Sequence, residues 1–319
     1  MVVVVPYLGN GMLEQVERYK GLELYARQVV EGFITGLHRS PFHGFSVEFA
    51  EHRQYNTGES TRNIDWRLYA RTDRLYVKSY EEETNLRCQL IIDQSGSMLF
   101  PVDGMNNLEH PNKLTFAVYG AALIVELLQR QRDAFGLTLL SEGIDLQTET
   151  RSNAAHKHHV YSILENLLAT SHKSNESSRK TSFVEALHLT AERLHRRSLV
   201  VLFTDAFISK ADWDSLLDAL RHLRHCRHEV LLFHTYEQAH EMDLAFDNRP
   251  TEFIDLETRR KLRLNPGELA DAYTTEMHRQ RDTLKRKTIQ YAIDYIPVAV
   301  EKGFEQVMIP YMLKRGKHF

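Results

Sequence analysis

Alternating strand-like and helix-like segments from about residue 87 onward predict an α/β protein, a mostly parallel sheet with helices on both faces, preceded by an N-terminal helical and short-strand extension. Three observations carry this. Leu90, Ile91 and Ile92 form a near-continuous apolar run of the kind found in strands buried on both faces. Residues 198–203 repeat that pattern and are the most strongly β-like segment of the chain. Between the two runs, Leu114, Ala117, Val118, Ala121, Ala122, Ile124, Val125 and Leu128 recur every three or four residues, as one face of a helix does.

In chain order, residues 13–37 carry apolar positions at helical spacing and predict one or two helices. Residues 45–77 are irregular, with Gly44, Asn56, Gly58, Asn63 and Asp73 as turn formers between short apolar pieces, so short strands and loops are expected there. The strand at 87–93 and the helix around 114–128 lead to a strand at 135–140, and Gly143 suggests a hairpin into Ile144 and Leu146. Helices are predicted at 160–168, 183–194, 212–223 and 267–284, a final one near 304–313, and strands at 198–203, 229–233, 251–256 and 291–295. The polar stretch 171–180 reads as a loop. Two parts follow: residues 1–85, helices and short strands packed on the core, and residues 86–319, the α/β domain itself.

Composition narrows the function classes. A hydrophobic fraction of 42% and a charged fraction of 26% describe a folded chain rather than a disordered one. A formal net charge of -3, with Lys and Arg scattered, gives no electrostatic footprint for nucleic acid. Cys88 and Cys226 are the only cysteines, too few for a disulfide framework or a paired-cysteine zinc site, which fits a reducing, cytoplasmic setting. The opening apolar run stops at Pro6 without a basic flank, and no stretch reaches spanning length, so no membrane span is predicted. His156, His158 and His159, and His222, His225 and His228, read as solvated helix faces rather than a zinc site.

The chemistry concentrates where the first parallel strand ends. The run Ile91, Ile92, Asp93, Gln94, Ser95, Gly96, Ser97 places a carboxylate after a buried strand and two hydroxyls at alternate positions of a turn that Gly96 permits. One carboxylate with neutral oxygens suits a hard cation such as Mg2+ or Mn2+, which keeps a coordination position for an incoming acidic group. This pattern resembles the von Willebrand factor A superfamily, whose metal-ion-dependent adhesion site (MIDAS) takes an Asp-x-Ser-x-Ser loop, a Thr from a second loop and an Asp from a third. The resemblance assigns Asp93, Ser95 and Ser97 to the first loop, Thr181 with Ser182 as its rival to the second, and Asp205 to the third. It implies a three-layer α/β/α, Rossmann-like sheet.

Upstream, Arg53, Tyr55, Gly58, Glu59, Arg62, Ile64, Asp65, Trp66, Ala70 and Arg71 form a spaced signature that resembles the bacterial family known as domain of unknown function 58. Thr57 stands where that family usually has proline, and Glu59 replaces its commoner Asp. The arginines and acids of the signature read as an ion-pair network, with a partner surface as the alternative, and Trp66 is expected to pack the segment onto the core. The resemblance implies a non-enzymatic, metal-dependent binding module that partners a MoxR-type AAA+ ATPase in assembly or maturation of other proteins. The rival is a Mg-dependent phosphatase with Asp93 as nucleophile, against which Ser95 stands where a general acid is expected. There is no Gly-rich phosphate loop and no Gly-x-Ser-x-Gly elbow around Ser95.

Overall fold

The computed structural model describes residues 21–38, 52–54, 76–78, 86–104, 107–170, 183–208, 212–256 and 260–316, with Tyr69 and Arg71. These fall into two compact units, one within Gly32–Asn85 and one formed by the rest of the chain. In the smaller unit, β1 (His52–Gln54) pairs antiparallel with β2 (Tyr76–Lys78), Arg53 opposite Val77. Arg71, which is exposed, belongs to the signature and Tyr69, also exposed, falls within its span, but Trp66 and most of that segment lie outside the described residues, as do the loop at 171–180, Thr181 and Ser182.

The larger unit is a mixed α/β body around a sheet of six strands in the order β10-β7-β6-β3-β4-β5. These are β3 (Arg87–Asp93), β4 (Ala134–Leu140), β5 (Ile144–Gln147), β6 (Leu199–Thr204), β7 (Glu229–Tyr236) and β10 (Asp294–Ala299). All neighbours run parallel except β5, which returns antiparallel to β4 through the expected hairpin. Every residue of β6 is buried, as its uninterrupted apolar run requires of a central strand with helices on both sides.

Alternation along the strands sorts the core into two layers. Ile91, Val200, Leu202, Val230 and Leu232 face α4 (Phe183–Arg193), α5 (Trp213–His225) and Leu284 of α6 (Pro266–Gln290). On the other face Phe203 and Phe233 stack with ring centroids 4.8 Å apart. There Gly120 lets α2 (Lys113–Arg130) approach closely, since a Cβ at that position would stand 3.2 Å from the Phe203 ring and 3.3 Å from Val307 of α7 (Glu305–Gly316). The Tyr161 hydroxyl of α3 (Ala154–Thr170) donates to the Ala122 carbonyl at 3.0 Å, joining α3 to α2. The start of α1 (Leu22–His38) joins the same unit, because Glu23 pairs with Lys157 at 3.0 Å and Glu31 with Arg130 at 3.0 Å.

Three sequence expectations need correction. The strand expected at 251–256 does not extend the parallel sheet: β8 (Thr251–Ile254) pairs only with β9 (Lys261–Leu264), antiparallel, in a separate hairpin. The strand expected at 291–295 begins at Asp294, because α6 runs on to Gln290 and Ala292, at φ 55°, turns the chain. Two of the histidines are not solvated. His156 is buried with its ring on the Phe135 carbonyl at 2.8 Å, and His228 is buried on the Ala191 carbonyl at 3.1 Å. Each ring faces inward onto a backbone carbonyl: that of Phe135 also accepts from the Arg151 N–H at 3.0 Å, and that of Ala191 lies in the last turn of α4.

Candidate functional site

β3 and β6 are adjacent and in register from Cys88 opposite Leu199 to Ile92 opposite Phe203, so Asp93 and Thr204 end side by side and Asp205 follows on the same edge. This is the carboxyl edge of the sheet, where loops diverge and polar groups gather. Asp93 is buried, and both of its oxygens are engaged. Oδ1 accepts from the Ser95 N–H at 2.9 Å and Oδ2 from the Thr204 hydroxyl at 2.6 Å. The Thr204 oxygen in turn accepts from the Ala206 N–H at 3.0 Å, which fixes the direction of its proton toward Asp93. The Ser95 and Ser97 hydroxyls stand 3.1 Å apart, so the two alternate serines of the motif converge.

The turn that carries them is held from below. Gln94 N–H donates to the Leu140 carbonyl at 2.8 Å, extending the pairing with β4 past Asp93. A single 3-10 turn, Gly96–Leu99, follows, and Met98 drops into the core, where the Thr235 hydroxyl meets its sulfur at 3.6 Å. The far end of the loop closes on the start of α2. The Asn112 side chain caps the helix by accepting from the Thr115 N–H at 2.7 Å, and Asn112 N–H donates to the Gly104 carbonyl at 2.9 Å. A Cβ at Gly104 would lie 2.4 Å from the Asn112 nitrogen, inside backbone that cannot yield cheaply. Gly104→Ala is therefore expected to cost about 1 kcal/mol or more, read as a lowered urea midpoint with an unchanged slope. An unaltered midpoint would show that the loop closes in another way.

Asp205, also buried, accepts from the Phe207 N–H at 3.0 Å through Oδ1 and from Lys113 Nζ at 2.7 Å through Oδ2, and the Ser97 hydroxyl is near enough to favour its charged form. Lys113, the first residue of α2, is only 1% exposed and bridges Asp205 to Glu241. Glu241 lies in a π-type turn, Gln238–Met242, after β7, where Glu237 accepts from the N–H groups of Ala239, His240 and Glu241. Beneath Asp205, His234 donates through Nε2 to the Asp205 carbonyl at 2.8 Å and meets the Tyr295 hydroxyl through Nδ1 at 2.7 Å.

Charge follows from this geometry. Burial, and then the nearby charge of Asp205, push the Asp93 carboxyl up to about 7. Burial also works against an ionised Asp205, but Lys113 outweighs it and holds that carboxyl below the usual range. Burial raises Glu241 despite Lys113, and it lowers His234 to about 4, so the imidazole is neutral at pH 7. Two carboxylates crowd one edge, and Asp93, the more central, is the one whose charge is poorly supported.

Among the described residues, no group of three or more His, Cys, Asp or Glu side chains is placed to hold a metal ion. The donors that do gather are Asp93, Ser95, Ser97 and Asp205, all hard oxygens, a set that fits a small hard cation. The poorly supported charge of Asp93 points the same way, since a cation there would relieve both causes of its raised carboxyl. Of the five residues singled out in the sequence, four stand together, and Thr181 is outside the described residues. Sequence reasoning missed Lys113, Thr204, His234 and Glu241. Thr204 could have been found as the last residue of a buried strand beside Asp205. Nothing local marks Lys113, which reads as an ordinary helix start after Asn112.

Fold and edge together define a mixed α/β protein with an acid and hydroxyl cluster at the carboxyl end of a parallel sheet. The chain belongs to the family described as protein of unknown function DUF58, which it matches over residues 51–283. Uncharacterized proteins of Mycobacterium tuberculosis and Mycobacterium bovis are each 27% identical over 210 residues, 66% of this chain. The chain spans 61% of the length of these curated relatives. Among solved structures, the conserved hypothetical protein BatB from Bacteroides thetaiotaomicron aligns with a TM-score of 0.45 at 14% identity, over 73% of this chain and 100% of that one. Among the described residues, no helix is long and apolar enough to cross a membrane.

Proposed function

We propose that the chain is a metal-dependent protein-binding module of the von Willebrand factor A type, with a MIDAS-like centre. The observation that carries this reading is the convergence of Asp93, Ser95, Ser97 and Asp205 at the ends of two adjacent parallel strands, with Asp93 short of compensating positive charge. In this reading Asp93, Ser95 and Ser97 hold Mg2+ or Mn2+, and Thr181 and Asp205 complete the site directly or through water. The cation supplies an exchangeable position for an oxygen ligand. The chain's own groups do the rest: Thr204 and the Ser95 N–H orient Asp93, and the Ser95 and Ser97 hydroxyls, 3.1 Å apart, orient each other.

The incoming ligand is an acidic side chain of another protein, and the family resemblance makes that partner a MoxR-type AAA+ ATPase in a cytoplasmic, non-enzymatic role. Titration calorimetry with MgCl2 or MnCl2 tests the centre, and Asp93→Ala is expected to abolish the heat while circular dichroism stays native. Binding to a purified MoxR-type ATPase is expected to require the divalent ion and to vanish with chelator. Association that survives both chelator and Asp93→Ala would place the contact elsewhere. Turnover of p-nitrophenyl phosphate by the purified chain would instead favour the phosphatase reading, in which the same Asp93 is the nucleophile.

A further inference from the structure

The buried ion pair beside the site has no part in the reading so far. Lys113 is a full cation at 1% exposure, and its ammonium stands 2.7 Å from Asp205 Oδ2 while also touching Glu241. Taking a lysine out of water is costly unless its charge is matched, and here two carboxylates match it. One of those, Asp205, lies near enough to Ser97, a proposed ligand, for that hydroxyl to favour its charged form, and close enough to Asp93 for their charges to interact. Asp205 and Glu241 share this single ammonium, and Asp93, which interacts with Asp205, brings a third carboxylate to the cluster, an excess of two negative charges when all are ionised.

From this juxtaposition we propose that Lys113 is a built-in competitor for the divalent cation, a positioning residue that sets the affinity of the centre. It holds Asp205 Oδ2 on the side of α2, so that this carboxylate serves the centre through the Ser97 hydroxyl rather than with both oxygens. It also supplies part of the positive charge that the cation would otherwise supply alone. Glu241 acts in the opposite sense. By sharing the ammonium, it weakens the hold of Lys113 on Asp205 and keeps the cluster electronegative. The centre would thus bind a divalent ion loosely enough for the ion to exchange, with the loops after β6 and β7 tied together through one side chain.

This inference rests on the metal reading, and the two can fail separately. Mg2+ is titrated calorimetrically into wild type, Lys113→Met and Glu241→Gln, with circular dichroism as the check on folding. Removing the ammonium is expected to tighten Mg2+ binding about tenfold or more, and removing the Glu241 charge to weaken it by a similar factor, as charges a few ångströms away in a buried cluster should. Should Lys113→Met fail to fold, the double variant Lys113→Met/Glu241→Gln removes the ammonium together with one of its carboxylates. Its affinity is then expected to lie above that of Glu241→Gln. Wild type that binds while Lys113→Met binds no tighter, or Glu241→Gln no weaker, overturns the inference and leaves the metal reading intact. Binding by Lys113→Met alone supports it and means that Lys113 displaces the divalent ion in the native chain. Silence in all the variants overturns both.

Discussion

Asp93→Asn is expected to make the metal-free chain more stable by about 2 to 4 kcal/mol at pH 8, an unusual direction for a substitution in a buried polar cluster. The sign follows from linkage. The Asp93 carboxyl sits at about 7 in the folded chain, against an ordinary value near 4 when unfolded, because burial and the charge of Asp205 oppose its ionisation. Between those values the folded state binds more protons than the unfolded state, so Asp93 makes stability fall as pH rises from about 4 to about 7. The penalty is complete above 7. Asparagine cannot ionise, and it can keep both contacts: its carbonyl accepts from the Ser95 N–H, and its amide donates to the Thr204 hydroxyl once that proton turns away. Urea unfolding with chelator present, at pH 5 and at pH 8, reads this directly. A variant less stable than wild type at pH 8 would mean that the charge is already compensated within the chain and that the centre has no call for a cation.

The same comparison separates what the sequence made legible from what it did not. β3, β6 and β7 were legible because strands covered on both faces are apolar along most of their length, and residues 90–92 and 199–203 show this without help from distant contacts. Asp93 and Asp205 were legible for a related reason: a carboxylate that ends such a strand interrupts the only pattern burial allows. β8 was misplaced because its residues alternate, Thr251 and Phe253 half-buried against Glu252 and Ile254 exposed, and periodicity says that a strand exists but not which sheet receives it; β9, mostly exposed, was not predicted at all. Lys113, His156 and His228 escaped for a deeper reason. Their burial is set by partners 21 to 128 residues away, Phe135 for His156, Ala191 for His228, and Asp205 and Glu241 for Lys113. A polar side chain in a polar stretch carries no local mark of such a partner.

His234 is expected to give the chain an acid-side slope of the opposite sign to that of Asp93. Its imidazole is buried between the Asp205 carbonyl and the Tyr295 hydroxyl, and burial holds it at about 4, below the ordinary value near 6.5. Here the unfolded state binds more protons between those values, so the contribution of His234 is present in full above about pH 6.5 and is lost as pH falls toward 4. At about 1.4 kcal/mol per pH unit for one proton, the loss between pH 6.5 and 5 comes to about 2 kcal/mol. In the wild type, the Asp93 penalty eases over the same interval and masks it. Asp93→Asn removes the mask, and in that background stability should drop visibly on acidification. His156 and His228, both lowered by burial, pull the same way, so adding His234→Gln should reduce the slope by about 2 kcal/mol over the interval without flattening it. Urea midpoints of the single and double variants at pH 6.5, 5.75 and 5 measure the difference. Equal slopes in the two would show that His234 is already able to take up a proton in the folded chain, and that the floor beneath Asp205 is open to water.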